Sequence, residues 1–215
     1  MDFNEFNHLS HIVIGTIAFI GGIVALSTKK GSRIHKTGGK VFVLGMFYSV
    51  ISTVVFMTEE FLPLAVLMSV ATVYLLISSI SALRYKNKYS KTVDTILVIF
   101  PVLLFIFTFI QFVRILPEIS LGTFARLLFS LTFAIVLLRD IKLIKNRPNE
   151  HIYFLKRHSF RMILAFGFAV MAILRIGVKI EFLGLAFTTF TPLLLALLAA
   201  FYAERNISKF LPNKK

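Results

Sequence analysis

Two arginines inside long apolar stretches are the strongest candidates for chemistry in this chain. Arg126 and Arg175 each lie about 7 Å from the same predicted end of a membrane-spanning helix, at about 1.5 Å per residue. A charge at this depth costs free energy, and a guanidinium suits the oxygens of a carboxylate or a phosphate. The pair therefore predicts a positive clamp for a small anionic or amphiphilic ligand. The alternative is that each side chain reaches separately for the lipid headgroups.

Four other polar side chains are predicted near the same outer entrance. His8 and His11 lie on one stripe of the first span, which continues through small residues. Because imidazole titrates near neutral pH, they would make ligand recognition pH-sensitive. Thr188 and Thr191 lie in the outer half of the last span and would supply hydroxyl groups. The alternative for the two histidines is a frayed helix end in the headgroup region, without a function.

The remaining histidines raise a redox hypothesis. His35, His151 and His158 are predicted on the inner side, where two imidazoles from different helices can hold a haem. The alternative is that they are solvated loop side chains among lysines and arginines. No metal site is predicted, because these cations repel a divalent ion and no carboxylate cluster accompanies them. The chain has no cysteine, and no nucleotide-binding or hydrolase motif supports an enzyme.

The elements that must position these residues are membrane-spanning helices. Of the 215 residues, 57% are hydrophobic and only 16% are charged, which excludes a soluble globular domain. A bilayer core about 30 Å thick needs about 20 mostly apolar helical residues. Seven stretches meet this requirement: residues 9–28, 41–58, 61–83, 93–113, 121–138, 161–179 and 183–203.

The distribution of positive charge predicts the orientation of these spans. Twenty of the 24 lysines and arginines lie in alternate connections and in the C-terminal tail. Basic connections stay cytoplasmic, so the N-terminus is predicted outside and the C-terminus inside. The net charge of +14 thus indicates membrane topology and attraction to anionic lipids, not nucleic-acid binding. No connection is long enough for a soluble domain, and residues 1–215 are predicted to form one transmembrane domain.

A short similarity suggests an internal repeat. The segment Ile-Gly-Thr-Ile-Ala at 14–18 resembles Leu-Gly-Thr-Phe-Ala at 121–125, and both segments lie near the predicted outer end of a span. A basic connection containing a histidine follows in each half. This pattern suggests a parallel three-plus-one-plus-three arrangement, whereas chance similarity between apolar spans is the alternative.

Two stretches resemble an uncharacterised family of predicted bacterial multi-pass membrane proteins, described as a domain of unknown function. The first runs from His11 through the glycines at 21 and 22 to Lys-Gly-Ser-Arg-Ile-His-Lys at 30–36 and Gly-Lys-Val at 39–41. The second, at 151–157, is similar to the family's His-x-x-Trp-Met-x-Arg run, with Phe and Leu in place of Trp and Met. The resemblance implies a bacterial cytoplasmic-membrane protein and a role for five residues, but no activity. The five are His11, His35, His151, Arg157 and Arg175.

Three functional hypotheses follow from the sequence. The first is a membrane protein that binds a small anionic or amphiphilic ligand in an outward-facing cavity, for transport or sensing. The second is a membrane redox protein that uses haem or quinone, with haem b held by the inner histidines. The third is a structural or accessory subunit without a site of its own. The first hypothesis predicts no resident cofactor, and the bilayer is the one partner that all three require.

Overall fold

The computed structural model of the chain describes residues 3–58, 61–116, 119–174 and 184–210. Within these ranges the chain forms nine helices and no strand. The helices are α1 Phe3–Ser27, α2 Arg33–Phe56, α3 Pro63–Leu83, α4 Lys88–Leu97, α5 Ile99–Arg114, α6 Leu121–Lys145, α7 His151–Ala172, α8 Leu185–Arg205 and α9 Ile207–Phe210.

Six segments of the described chain are helical, long and apolar enough to cross a membrane. They are Phe3–Ser27, Arg33–Phe56, Pro63–Leu83, Lys88–Arg114, Leu121–Lys145 and Phe187–Arg205. They coincide with predicted spans one to five and seven, as expected of an all-α, multi-pass membrane protein. The sixth predicted span, 161–179, is divided between α7 and residues outside the described ranges. Seven spans, the orientation and the repeat stay predictions.

Several helices extend beyond the apolar runs from which their bounds were predicted. The predicted span 121–138 continues as α6 to Lys145, and α7 begins at His151, ten residues before the predicted 161. Lysine and arginine are good helix formers, so helical hydrogen bonding continues where the hydropathy falls. The basic connections between the predicted spans are therefore helical for much of their length. All three inner histidines lie on helices, with His35 on α2 and His158 on α7.

The helices divide into two compact units. The first comprises Met1–Val73 with Asn206–Lys215, and the second comprises Tyr74–Arg205. The division falls within α3. We call them the N-terminal unit and the C-terminal unit and describe each by itself.

The N-terminal unit is built on close packing of α1 against α2 through small residues. A Cβ atom placed on Gly21 would lie 2.9 Å from the Gly38 carbonyl oxygen, and one on Gly38 would lie 2.8 Å from the Gly21 carbonyl oxygen. A Cβ on Gly45 would lie 2.5 Å from the Cβ of Ala18, which is fully buried. Small residues allow membrane helices to approach this closely. Ala18, one of the small residues of the predicted stripe, lies in this packing surface, and Gly21, which makes the closest approach, lies outside that stripe.

The turn between α1 and α2 is held by local hydrogen bonds. The Lys30 ammonium donates to the Ala25 and Leu26 carbonyl oxygens at 3.0 and 2.7 Å, and partial burial lowers its pKa from the usual lysine value. His35 Nδ1 donates to the same Ala25 oxygen at 2.8 Å. Ser32 caps α2 by accepting a hydrogen bond from the His35 backbone N–H. These contacts satisfy carbonyl groups that would otherwise be unpaired at the end of α1.

The C-terminal unit is organised by α5, α6, α7 and α8, with α5 packed on α6 and α8 packed on both α6 and α7. Close contact between α7 and α8 depends on Gly167, where a Cβ atom would collide with Ala196. The predicted fourth span is two helices, α4 and α5, which meet at Val98. Pro101 lacks the N–H that would bond to the Leu97 carbonyl, which explains the break at this position.

Candidate functional site

The two histidines predicted at the outer entrance lie side by side on α1. The rings of His8 and His11 both contact the ring of Phe56 on α2, with centroid separations of 5.9 and 5.5 Å. His8 is exposed, whereas His11 is partly buried and its Nδ1 atom has no hydrogen-bond partner within the described ranges. The structure therefore places the pair against an aromatic ring of the N-terminal unit.

The other predicted outer residues belong to the C-terminal unit. Arg126 is exposed on α6, Thr188 is buried on α8, and Thr191 is partly buried one turn further along. Arg175 lies outside the described residues. The clamp between Arg126 and Arg175 therefore stays a prediction.

The three candidate haem ligands differ in their surroundings. His35 takes part in the turn contact described above, and His151 is exposed with its ring 5.8 Å from the ring of Tyr85. His158 is partly buried, and its Nδ1 lies 2.7 Å from the hydroxyl of Ser79 on α3. His158 is therefore hydrogen-bonded to α3, unlike a side chain in a solvated loop.

The C-terminal unit contains a buried charged cluster that our sequence analysis does not predict. Two aspartates and three arginines from α4, α6, α7 and the segment between α6 and α7 contact one another there. We call them the charged cluster: Asp94, Asp140, Arg147, Arg157 and Arg161. Four of the five are almost fully buried, and Arg147 keeps 19% of its side chain exposed.

Asp94 joins two arginines at one end of the charged cluster. Its Oδ1 atom accepts hydrogen bonds from Arg157 at 2.8 Å and from the Ser81 hydroxyl at 2.9 Å. Its Oδ2 atom accepts one from Arg147 at 2.9 Å, and Arg147 also donates to the Ser90 hydroxyl at 2.8 Å. Both carboxylate oxygens are therefore satisfied, as a buried charge requires.

Asp140 holds the other end of the charged cluster. Its Oδ1 atom accepts hydrogen bonds from Arg161 and from Arg157, the latter at 3.2 Å, and its Oδ2 atom accepts one from the Tyr74 hydroxyl. Arg161 also donates to the Tyr74 and Ser78 hydroxyls, at 2.5 and 2.7 Å. Arg157 bridges the two carboxylates, and the five residues form one continuous network.

Helical spacing explains how these residues meet. Tyr74 and Ser78 on α3, Ser90 and Asp94 on α4, and Arg157 and Arg161 on α7 are pairs four residues apart. Residues at this spacing share one face of a helix. Each of the three helices therefore contributes two polar side chains to one hydrogen-bond network, and α6 contributes Asp140.

A cavity of about 240 Å³ lies beside the charged cluster, between α6, α7 and α8. Four of its lining residues are cations, one is an acid, and the others are aromatic or apolar. The lining residues are Val136, Arg139, Lys142, Tyr153, Arg157, Phe160, Arg161 and Glu204. The lining itself carries a formal charge of +3, and Asp94 and Asp140, which pair with Arg157 and Arg161, offset two of these charges.

Arg139 and Glu204 form an ion pair in the cavity wall, with 2.8 Å between the guanidinium nitrogen and the carboxylate oxygen. About a third of the Arg139 side chain is exposed, and its guanidinium lies 4.0 Å from the Phe160 ring centroid and 5.2 Å from that of Phe201. Ring contacts of this kind hold a guanidinium in place. Glu204 is thus a carboxylate already positioned among the cations of the cavity.

Arg157 has one buried polar atom without a partner in the described part of the chain. Arg157 lines the cavity, its side chain is 7% exposed, and its Nε atom is buried without a hydrogen bond within the described ranges. A buried N–H without an acceptor costs about 1–3 kcal/mol. This atom has no accessible surface toward the cavity. The cavity can instead bind an anion through its four lining cations, which supply positive charge and N–H donors.

Sequence signals for this site exist but are weak. Asp94 and Asp140 are two of only ten acidic residues, and both lie on the side where most cations are predicted. The family resemblance marks Arg157, whereas Arg161 was interpreted only as a charge at the start of a span. The sequence signal that could have predicted burial of these arginines is the spacing of polar residues four positions apart on three helices.

Comparison with known proteins yields no relative of this chain. No protein-family model matches it, and neither does any curated protein or solved structure. The resemblance described from the sequence therefore stays a prediction. The cavity and the charged cluster are the features of the structure that bear on function.

Proposed function

We propose that this multi-pass membrane protein binds a small anion, bearing a carboxylate or phosphate group, in the cavity between α6, α7 and α8, for transport or sensing. The ligand class is the one that the sequence predicts. The residues that support it are different, since they come from the basic segments and not from the predicted outer entrance.

The observation that carries the proposal is the excess of cations over carboxylates at the cavity. In the charged cluster, three arginines face two aspartates, so one positive charge stays uncompensated even with every ion pair formed. Uncompensated buried charge is costly, and a bound anion offsets it. Arginine presents several donors in a planar fork, which suits carboxylate and phosphate oxygens.

The size of the cavity limits the ligand. About 240 Å³ is the space of roughly eight water molecules, at about 30 Å³ each. Sites for drug-sized ligands begin at about 300 Å³. A phosphate ion or a short carboxylic acid fits this space, and Tyr153 adds a hydroxyl group to its lining.

The decisive experiment measures anion binding to a matched pair of lysine variants. Lys142 lines the cavity, whereas Lys145 is exposed on the same helix outside it. We expect isothermal titration of the purified protein with phosphate and with succinate to detect binding of at least one. Lys142→Gln should weaken that binding about fivefold, because a charge near the anion contributes about 1 kcal/mol even in water.

Lys145→Gln should leave the affinity unchanged, and so should Arg126→Gln on the exposed face of α6. Equal losses for Lys142→Gln and Lys145→Gln would indicate diffuse attraction and contradict the proposal. No heat of binding for any small anion would contradict it as well. Uptake of the labelled anion into proteoliposomes then separates a transporter from a sensor.

Two hypotheses from the sequence keep their own tests. A second, outer site would use Arg126, Arg175, His8, His11, Thr188 and Thr191. Replacing Arg126 and Arg175 together by leucine should abolish anion binding only if that site is the functional one. The redox hypothesis with His35, His151 or His158 requires a Soret band after haem-supplemented expression. A bacterial cytoplasmic membrane is the location that the family resemblance implies.

A further inference from the structure

The N-terminal unit has a groove on its surface that, unlike the anion cavity, is mostly apolar. It runs between α1 and α2, has a volume of about 530 Å³ and is open along one side. Its walls are apolar: Ile17, Ile20 and Val24 on α1, and Ile34 and Val41 on α2. All but Val24 are exposed. Both helices are long and apolar enough to cross a membrane, where this surface would face hydrocarbon chains.

The groove exists because α1 and α2 touch through glycine. Gly21 and Gly38 line it, and their backbones approach so closely that neither can carry a side chain without displacement. The larger side chains on either side of this glycine contact form the walls of the groove. Ile34 to Val41 spans about 10 Å along α2 at about 1.5 Å per residue. The groove is thus an elongated apolar channel, which suits a single hydrocarbon chain.

One end of the groove is polar and positively charged. Arg33 is the first residue of α2 and lines the groove, and Thr37 lines it one turn further along. Residues four apart share a helix face, so the guanidinium and the hydroxyl lie on the same side of α2. Both residues are exposed. A cation and a hydroxyl at the end of an apolar channel match a phosphate attached to an acyl chain.

The charge around this end favours an anionic lipid over a zwitterionic one. Between residues 28 and 58 the sequence holds five lysines and arginines and no acid. Lys30 is engaged with the α1 carbonyl oxygens, whereas Lys29, Lys36 and Lys40 are exposed near Arg33. Each basic residue near an anionic leaflet adds about 1 kcal/mol of attraction. Arg33 alone among these cations lines the groove.

We propose that the α1–α2 groove binds one anionic phospholipid, with an acyl chain along its apolar walls and the headgroup phosphate at Arg33 and Thr37. This site is independent of the anion cavity in the C-terminal unit. A free phosphate ion lacks the chain that fills the groove and is not its ligand.

The test compares phosphatidylglycerol with phosphatidylcholine of the same acyl chains by native mass spectrometry of the detergent-purified protein. We expect one phosphatidylglycerol to be retained more strongly than phosphatidylcholine. Arg33→Gln should lower the affinity for phosphatidylglycerol about tenfold, the loss expected for a charge-assisted hydrogen bond. The matched control is Lys36→Gln, because Lys36 is an exposed cation in the same helical turn but outside the groove. This control should change the affinity for phosphatidylglycerol by no more than about twofold.

A second pair of variants tests the apolar channel. Thr37→Phe fills the groove and should abolish retention of the lipid, whereas Leu44→Phe, exposed on α2 outside the groove, should not. Circular dichroism checks that each variant is folded.

Three results would overturn the proposal. The first is an equal loss for Arg33→Gln and Lys36→Gln, which indicates diffuse surface attraction. The second is displacement of the lipid by millimolar inorganic phosphate. The third is a lipid-free dimer that Thr37→Phe dissociates, because the occupant is then a second copy of the chain.

Discussion

Asp140→Asn is the substitution that should disturb the charged cluster most directly. Asparagine has nearly the same volume as aspartate, so the change removes a charge without opening a cavity. Asp140 is 1% exposed and accepts hydrogen bonds from Tyr74, Arg157 and Arg161. The amide group has one acceptor oxygen and cannot neutralise either guanidinium.

The magnitude follows from the charge count. The charged cluster holds three arginines and two aspartates, with a formal charge of +1, and the substitution raises this to +2. Removing one partner of a buried ion pair costs about 3–5 kcal/mol, because the remaining charge stays buried. For a chain of this length that corresponds to a fall in Tm of roughly 6–20 °C.

Circular dichroism at increasing temperature is the suitable assay, because the chain contains no tryptophan and no cysteine for fluorescence or thiol-reactive dyes. Glu204→Gln is the matched control. It also removes one carboxylate from an arginine ion pair, but the Glu204 side chain is 25% exposed and Arg139 is 33% exposed. An ion pair this accessible contributes about 0–1 kcal/mol. The control should therefore melt close to the wild type.

A double variant distinguishes charge imbalance from a general loss of packing. Asp140→Leu with Arg161→Met removes one carboxylate and one guanidinium, which returns the charged cluster to +1. We expect this variant to be more stable than Asp140→Asn, because replacing both partners of a buried pair by apolar residues is often neutral. The reasoning would be refuted if Asp140→Asn had the same Tm as Glu204→Gln. It would also be refuted if the double variant were less stable than Asp140→Asn.

Three other predictions concern single contacts. Tyr74→Phe should lower the free energy of unfolding by about 1–3 kcal/mol, since Arg161 and Asp140 lose a shared hydroxyl; an unchanged melting curve would contradict it. Gly21→Ala should destabilise the protein by about 1–3 kcal/mol through its clash with the Gly38 carbonyl. Gly39→Ala, whose Cβ meets nothing within 4 Å, should stabilise it by about 0.5–1 kcal/mol; equal melting curves for the two would show that the close approach is absent. Glu204 competes with a bound anion for the cations of the cavity, so Glu204→Gln should raise the affinity for phosphate or succinate, measured by calorimetry, about fivefold. A weaker affinity would show that Glu204 does not compete.

Sequence reasoning succeeded where a single helix decides the outcome. The predicted bounds 61–83 lie within two residues of α3, Pro63–Leu83, because a proline and a basic turn delimit an uninterrupted apolar run. Spacing alone also predicted a stripe of small residues on α1, and its Ala18 lies in the contact with α2. Neither inference needs a partner whose position is unknown.

It failed where a residue's environment depends on other helices. Arg126 was favoured because it interrupts an apolar run, and its clamp with Arg175 stays a prediction, whereas Arg161 was taken for a boundary charge and is buried. Hydropathy assigns the same cost to both arginines. Arg161 is tolerated because Asp140, Tyr74 and Ser78 supply acceptors.

The sequence by itself determined that this chain forms apolar helices of membrane-spanning length. A backbone surrounded by hydrocarbon must satisfy its own hydrogen bonds, so about 20 consecutive apolar residues leave no other structure available. Only the tertiary structure decided which charges meet. Asp94 and Arg157 are 63 positions apart, and they pair because α4 and α7 bring them within 2.8 Å. Pairing of buried charges depends on that three-dimensional arrangement, since the Coulomb energy and the desolvation cost both vary with distances that no sequence spacing contains.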